Sequence, residues 1–92
     1  MVSVIRVLLD ILKPHNPNAL EFAQTIAEVG NDYHVRLTVV EMDENTETLE
    51  VEITGTRIDF EGVQAAINSL GGSLHSVDVV EVQGRPDLDK EE

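Results

Sequence analysis

The side chains in this sequence that hold hard cations or move protons fall in a few recurring places: Asp10, His15, the run Glu41-Met42-Asp43, Glu47, and the pair His75 and Asp78. The spacing Asp43-x-Asn45-x-Glu47 repeats the alternating oxygen ligands that open an EF-hand loop. It then departs, with Thr48 where that loop has Gly and Thr54 where it has the closing Glu, so it is not an EF-hand. Two readings stay open for it. One is ligation of a cation, and the other is a hairpin turn in which Asp43 and Asn45 cap local backbone groups. His15, between Pro14 and Asn16-Pro17, either caps its loop or binds metal, and His34 reads as an exposed strand residue. His75-Ser76-x-Asp78 invites a Ser/His/Asp triad, but neighbours on a strand point to opposite faces, which excludes it. His75 is then a structural histidine held near Asp10 or Asp78, or a metal ligand.

Composition narrows the chemistry. There is no cysteine, so disulfides, thiolate metal sites and cysteine nucleophiles are excluded, and any metal is held by oxygen or imidazole. The chain has 18 acids against 6 Lys plus Arg, a formal net charge of −12. That sign repels phosphate backbones, and one Tyr, two Phe and no Trp leave little to stack on bases, so nucleic acid is not an expected partner. Few lysines beside many carboxylates resembles the bias of salt-loving archaea, in which acids form a solvated surface. No window matches the roughly 20 apolar residues of a membrane span, and Arg6 and Asp10 interrupt the apolar start. The expectation is a cytoplasmic protein with no membrane partner.

The elements that position these side chains follow from periodicity. Residues 4–12 form an apolar run that ends at Lys13-Pro14, because Pro cannot continue a central ladder. Asn18 with Glu21 three residues later starts a helix whose Phe22, Ile26 and Val29 share a face, closed at Gly30-Asn31. Val35, Leu37 and Val39 alternate with polar residues, as do Leu49, Val51 and Ile53, and the turn between them makes a hairpin. Asp59 caps a second helix carrying Phe60, Val63, Ile67 and Leu70, stopped by Gly71-Gly72. Residues 73–82 supply the last strand. The reading is one domain over residues 1–84, with residues 85–92 an acidic flexible tail.

The order βαββαβ is that of an α+β, ferredoxin-like fold: a four-stranded antiparallel sheet in order 4-1-3-2 with both helices on one face. The open face is expected to carry Val4, Leu8, Leu12, Val40 and Met42 among Arg6, Asp10, Arg36, Glu50 and Glu52, a partly apolar surface that invites a partner subunit. The same topology brings His15, Glu41, Asp43, Glu47 and His75 to one sheet edge, with Asp10 and Asp78 further in. Carboxylates that converge there repel unless Lys13 or a bound cation neutralises them, and Ca²⁺ or Mg²⁺ suits oxygen ligands best.

The segments LDILKPH (9–15), EMDENTE (41–47), Gly55, IDFE (58–61) and GGSLHSVD (71–78) together resemble the archaeal domain-of-unknown-function family 211, over roughly residues 5–84. The resemblance implies a ferredoxin-like fold, an archaeal source and ring-like homo-oligomers, with no established activity. The family pattern commonly has Ile at the position of Leu74 and an acid at that of Val79.

Other uses of the topology fail on particular residues. The loop KPHNPN lacks the glycine of amino-acid-sensing regulatory domains, the CxxC of heavy-metal carriers and the arginine of acylphosphatase-like catalysis. No nucleophile with a positioned base can be assembled. Two functions remain: a non-catalytic homo-oligomer that binds a divalent cation through Asp10, Asp43, Glu47 and Asp78, with Glu41, His15 and His75 as further ligands, or an oligomeric scaffold whose acids serve solubility in salt.

Overall fold

The computed structural model describes residues 2–84, so the expected acidic tail at 85–92 lies outside the described residues. The elements are β1 (Val2–Pro14), α1 (Ala19–Ala27), β2 (His34–Met42), β3 (Thr46–Thr54), α2 (Phe60–Ser69) and β4 (Ser73–Gly84). The strands form one antiparallel sheet in order β2-β3-β1-β4, which is 4-1-3-2 read from the other edge. The fold is the ferredoxin-like α+β arrangement.

Each helix starts where a side chain replaces the missing backbone acceptor. Asn18 Oδ1 accepts from the Glu21 N–H at 2.8 Å, and Asp59 Oδ1 accepts from the Gly62 N–H at 3.1 Å. Helix α2 ends at Gly71, whose φ of +83° is the left-handed turn that favours glycine. Phe22 and Ile26 of α1, and Val63 and Ile67 of α2, pack with Val7, Leu9, Ile11, Leu49, Val51 and Ile53 in one fully buried cluster. Each such side chain contributes about 1.5–3 kcal/mol of transfer free energy. That one-sided core fixes both helices on the same face.

Strand parity follows from the ladders, with four interruptions. One lies in the β2–β3 ladder between Val39 and Glu41, where Val40 is the extra residue. Three lie between β1 and β4, where Ile5, Asp78 and His75 are the extra residues. Such bulges flip the faces of the residues beyond them. Two expectations are corrected as a result. Val4 is not on the open face but packs against the core. Met42 falls opposite Glu47, on the helix side, although it remains exposed. Leu8, Arg6, Arg36, Glu50 and Glu52 do share the open face, where they line one shallow depression.

Candidate functional site

A connected polar cluster lies where β1 runs into its loop and meets the β2–β3 hairpin. The alternation Val7, Leu9, Ile11 carries Lys13 to the helix side, directly opposite Glu47 on β3. Lys13 has no exposed side-chain surface. Its Nζ lies 3.0 Å from Glu47 Oε1 and donates to the carbonyls of Pro14 at 2.8 Å and Pro17 at 2.7 Å, near the face of Phe22. A buried ammonium is tolerated when its donors are used in this way.

His15 completes the cluster from outside. Its Nδ1 lies 2.9 Å from Glu47 Oε2, and its Nε2 faces the carbonyls of Asp43 at 3.1 Å and Glu44 at 2.9 Å. Both ring nitrogens therefore point at acceptors, an arrangement that suits the imidazolium, which donates from both. The Glu47 carboxylate, followed by the Glu44 carbonyl, raises the His15 pKa above its ordinary 6.5. The His15 and Lys13 bonds in turn hold Glu47 below its ordinary range against the opposing effect of burial. Of the two solutions open to crowded carboxylates, Glu47 takes the chain's own cations on both oxygens.

The expected ligands do not come together at one point. Asp10 lies on the open face, opposite Glu50, whereas Glu47 is on the helix side of the same sheet. Glu41 pairs with Thr48 on the open side, and Asp43 closes the hairpin through its N–H to the Thr46 carbonyl at 2.8 Å rather than through its side chain. Asp43 and Asn45 make no side-chain hydrogen bond among the described residues, so of the two readings left open the hairpin turn is formed through the backbone and not through capping by these side chains. Among the described residues no group of three or more His, Cys, Asp or Glu is arranged to hold a metal ion.

His75 and Asp10 do meet, Nδ1 to Oδ2 at 3.3 Å, beside Leu12 and Thr48. The bulge at His75 also changes the triad argument. It brings His75 to the open face together with Ser76, which pairs with Asp10, so the two neighbours do not point to opposite faces. Ser76 Oγ nevertheless donates to Asp78 at 2.8 Å and leaves His75 to Asp10. His34 is exposed, as expected. One polar anchor escaped the sequence reading: Asp32 accepts from the N–H and hydroxyl of Thr56, and the hydroxyl bond chiefly lowers its pKa. Two residues 24 apart joined across loops leave no periodic signal.

A sequence model of the family described as uncharacterised ArCR, domain-of-unknown-function family 211, matches residues 5–91. The chain belongs to that archaeal family. Among its relatives, uncharacterised protein MJ0319 of Methanocaldococcus jannaschii is 42% identical over 80 residues, which is 87% of this chain and 82% of that protein. Lys13, His15, Glu47 and the HSVD segment lie within residues 5–91.

Proposed function

We propose that the protein is a non-catalytic cytoplasmic module that assembles with further copies of itself. The observation that carries this reading is the row of valines on edge strand β4: Val77, Val80 and Val82 are 40%, 55% and 49% exposed. Val77 and Val80 line an apolar groove with Val4, Val7 and Phe60, on the helix side of the sheet. At the opposite edge Val40 and Met42 of β2 are exposed as well. Two apolar strips on opposite edges of one sheet suit a head-to-tail contact between copies, which closes into a ring when the rotation permits. Copies that each carry a charge of −12 repel, and such strips are where they approach at least electrostatic cost. Light scattering at several salt concentrations should give a closed assembly, and Val80→Lys should reduce it to single chains. A single-chain mass for the unaltered protein under all conditions removes the reading.

A second reading, Ca²⁺ or Mg²⁺ bound at the open face, is favoured by one observation. Asp10 faces Glu50 across the ladder, and neither it nor Asp78 meets a Lys or Arg among the described residues. A hard cation shared with oxygens of a second copy would offset that repulsion, with Asp10 and Asp78 as this chain's contribution. Calorimetric titration of the assembled protein with Ca²⁺ tests it. Asp10→Asn with Asp78→Asn should abolish saturable binding; absence of such binding in the unaltered protein leaves a scaffold whose acids serve solubility in salt.

A further inference from the structure

The bulge at Ile5 opens a hollow of about 560 Å³ on the sheet face opposite the valine row. Ser3, Ile5 and Arg6 contribute from β1, Thr54 from the end of β3, and Glu81 and Gln83 from β4. Its walls are already fixed. The Gly55 N–H donates to the Ile5 carbonyl at 3.1 Å, and Thr56, which also lines the hollow, donates twice to Asp32. A guest therefore meets a preformed surface and does not have to order a loop.

Two features set this hollow apart from a solvated depression. Ser3, which lines the hollow, is 3% exposed and its hydroxyl has no hydrogen-bond partner among the described residues, a costly state for a buried polar group. Arg6 and Glu81 are direct cross-strand partners, yet Arg6 turns its Nε to Glu52 on the other side. Glu81 is left with no basic partner among the described residues, and the guanidinium keeps its terminal nitrogens for another acceptor. The hollow is thus lined on neighbouring strands by a guanidinium shared only through its Nε with Glu52 and by a carboxylate without a basic partner among the described residues.

We propose that the hollow binds a small zwitterion of the α-amino-acid type, its carboxylate on Arg6 and the Ser3 hydroxyl and its ammonium on Glu81. A simple anion would be repelled by Glu81 and Glu52, and a simple amine would leave the terminal nitrogens of Arg6 and the Ser3 hydroxyl unmet. A molecule carrying both charges a few ångströms apart satisfies both sides at once.

Calorimetric titration of the full chain, in whatever assembly it forms, with each standard amino acid and separately with acetate, methylammonium and inorganic phosphate tests this. At least one amino acid should bind saturably with Kd of about 1 mM or tighter, while the single-charge probes bind at least about tenfold more weakly. Glu81→Gln and Ser3→Ala should each weaken that amino acid about tenfold or more, and Glu61→Gln, on the exposed start of α2, should not. Ser3→Ala removes the orphaned hydroxyl, so loss of affinity without loss of melting temperature separates a binding role from a structural one. The proposal is overturned if no amino acid binds, if phosphate or acetate binds as well as the best amino acid, or if Glu81→Gln leaves affinity unchanged.

Discussion

Lys13 and Glu47 face each other across the β1–β3 ladder, Nζ to Oε1 at 3.0 Å, and each keeps the other's charge from being buried alone. The pair sits where the apolar core ends, so its removal from one side exposes the other to a dry environment. Lys13→Met should cost about 1–3 kcal/mol, because it takes the Lys13 bonds from the Pro14 and Pro17 carbonyls and leaves the buried Glu47 carboxylate with His15 as its one remaining partner. Lys13→Met with Glu47→Leu should cost less than the sum of the single changes. Urea denaturation of the four proteins in this cycle gives the coupling directly.

His15 makes stability depend on pH in a definite direction. Its pKa is raised in the fold, so its contribution is fully present below the unfolded value of 6.5 and is lost as pH rises through the higher folded value. Glu47 is lowered, so its contribution is present above the unfolded value of 4.5 and is lost as pH falls through the lower folded value. The link between the β1–α1 loop and the hairpin is strongest between those limits. His15→Gln should flatten the decline in melting temperature above pH 6.5 while leaving the acid limb in place. An unchanged alkaline limb would show that the ring does not carry the link.

Salt should stabilise the fold. With a net charge of −12, carboxylate repulsion opposes compaction, and screening acts within a Debye length of roughly 10 Å at 0.1 M. Melting temperature measured by calorimetry should climb from low to molar NaCl. A flat profile would mean that the acids are already neutralised by bound ions.

Gly30 is held to its identity by Tyr33. A Cβ at that position would fall inside the tyrosine ring's contact distance, and that ring's hydroxyl accepts the Asp59 N–H at 2.6 Å, beside the α2 cap. Gly30→Ala should therefore cost about 1–3 kcal/mol by displacing the ring, and Gly30→Ala with Tyr33→Ala should cost no more than Tyr33→Ala alone. Thermal denaturation of the three variants checks this.

The elements and their order were legible because each carries its own period and cap: Phe22 and Ile26, the Leu49-Val51-Ile53 alternation, and Asn18 and Asp59 all announce themselves locally. The cluster at Lys13 was also readable, since Lys13 continues the parity of Leu9 and Ile11 as Glu47 anticipates that of Leu49. That Lys13 could neutralise the carboxylates was expected from its place in the chain, and its full burial follows from the same parity. The faces of Val4, Met42 and His75 were not readable, because each depends on a bulge set by the pairing of distant strands. The supposed single cluster of acids fails for the same kind of reason: Asp10 and Glu47 sit near each other along the sheet but on different sides of it.

The irregular β1–β4 ladder bears on edge-to-edge pairing with foreign strands. An edge strand rich in valine, such as β4, would ordinarily template the addition of any extended chain. The extra residues His75 and Asp78 interrupt its run of evenly spaced N–H and C=O groups, and both carry polar side chains. A straight foreign strand can match only a few residues before losing step, whereas a folded neighbour that brings a shaped apolar surface to Val77, Val80 and Val82 needs no such match. The edge thus admits a specific side-chain contact and resists open-ended stacking.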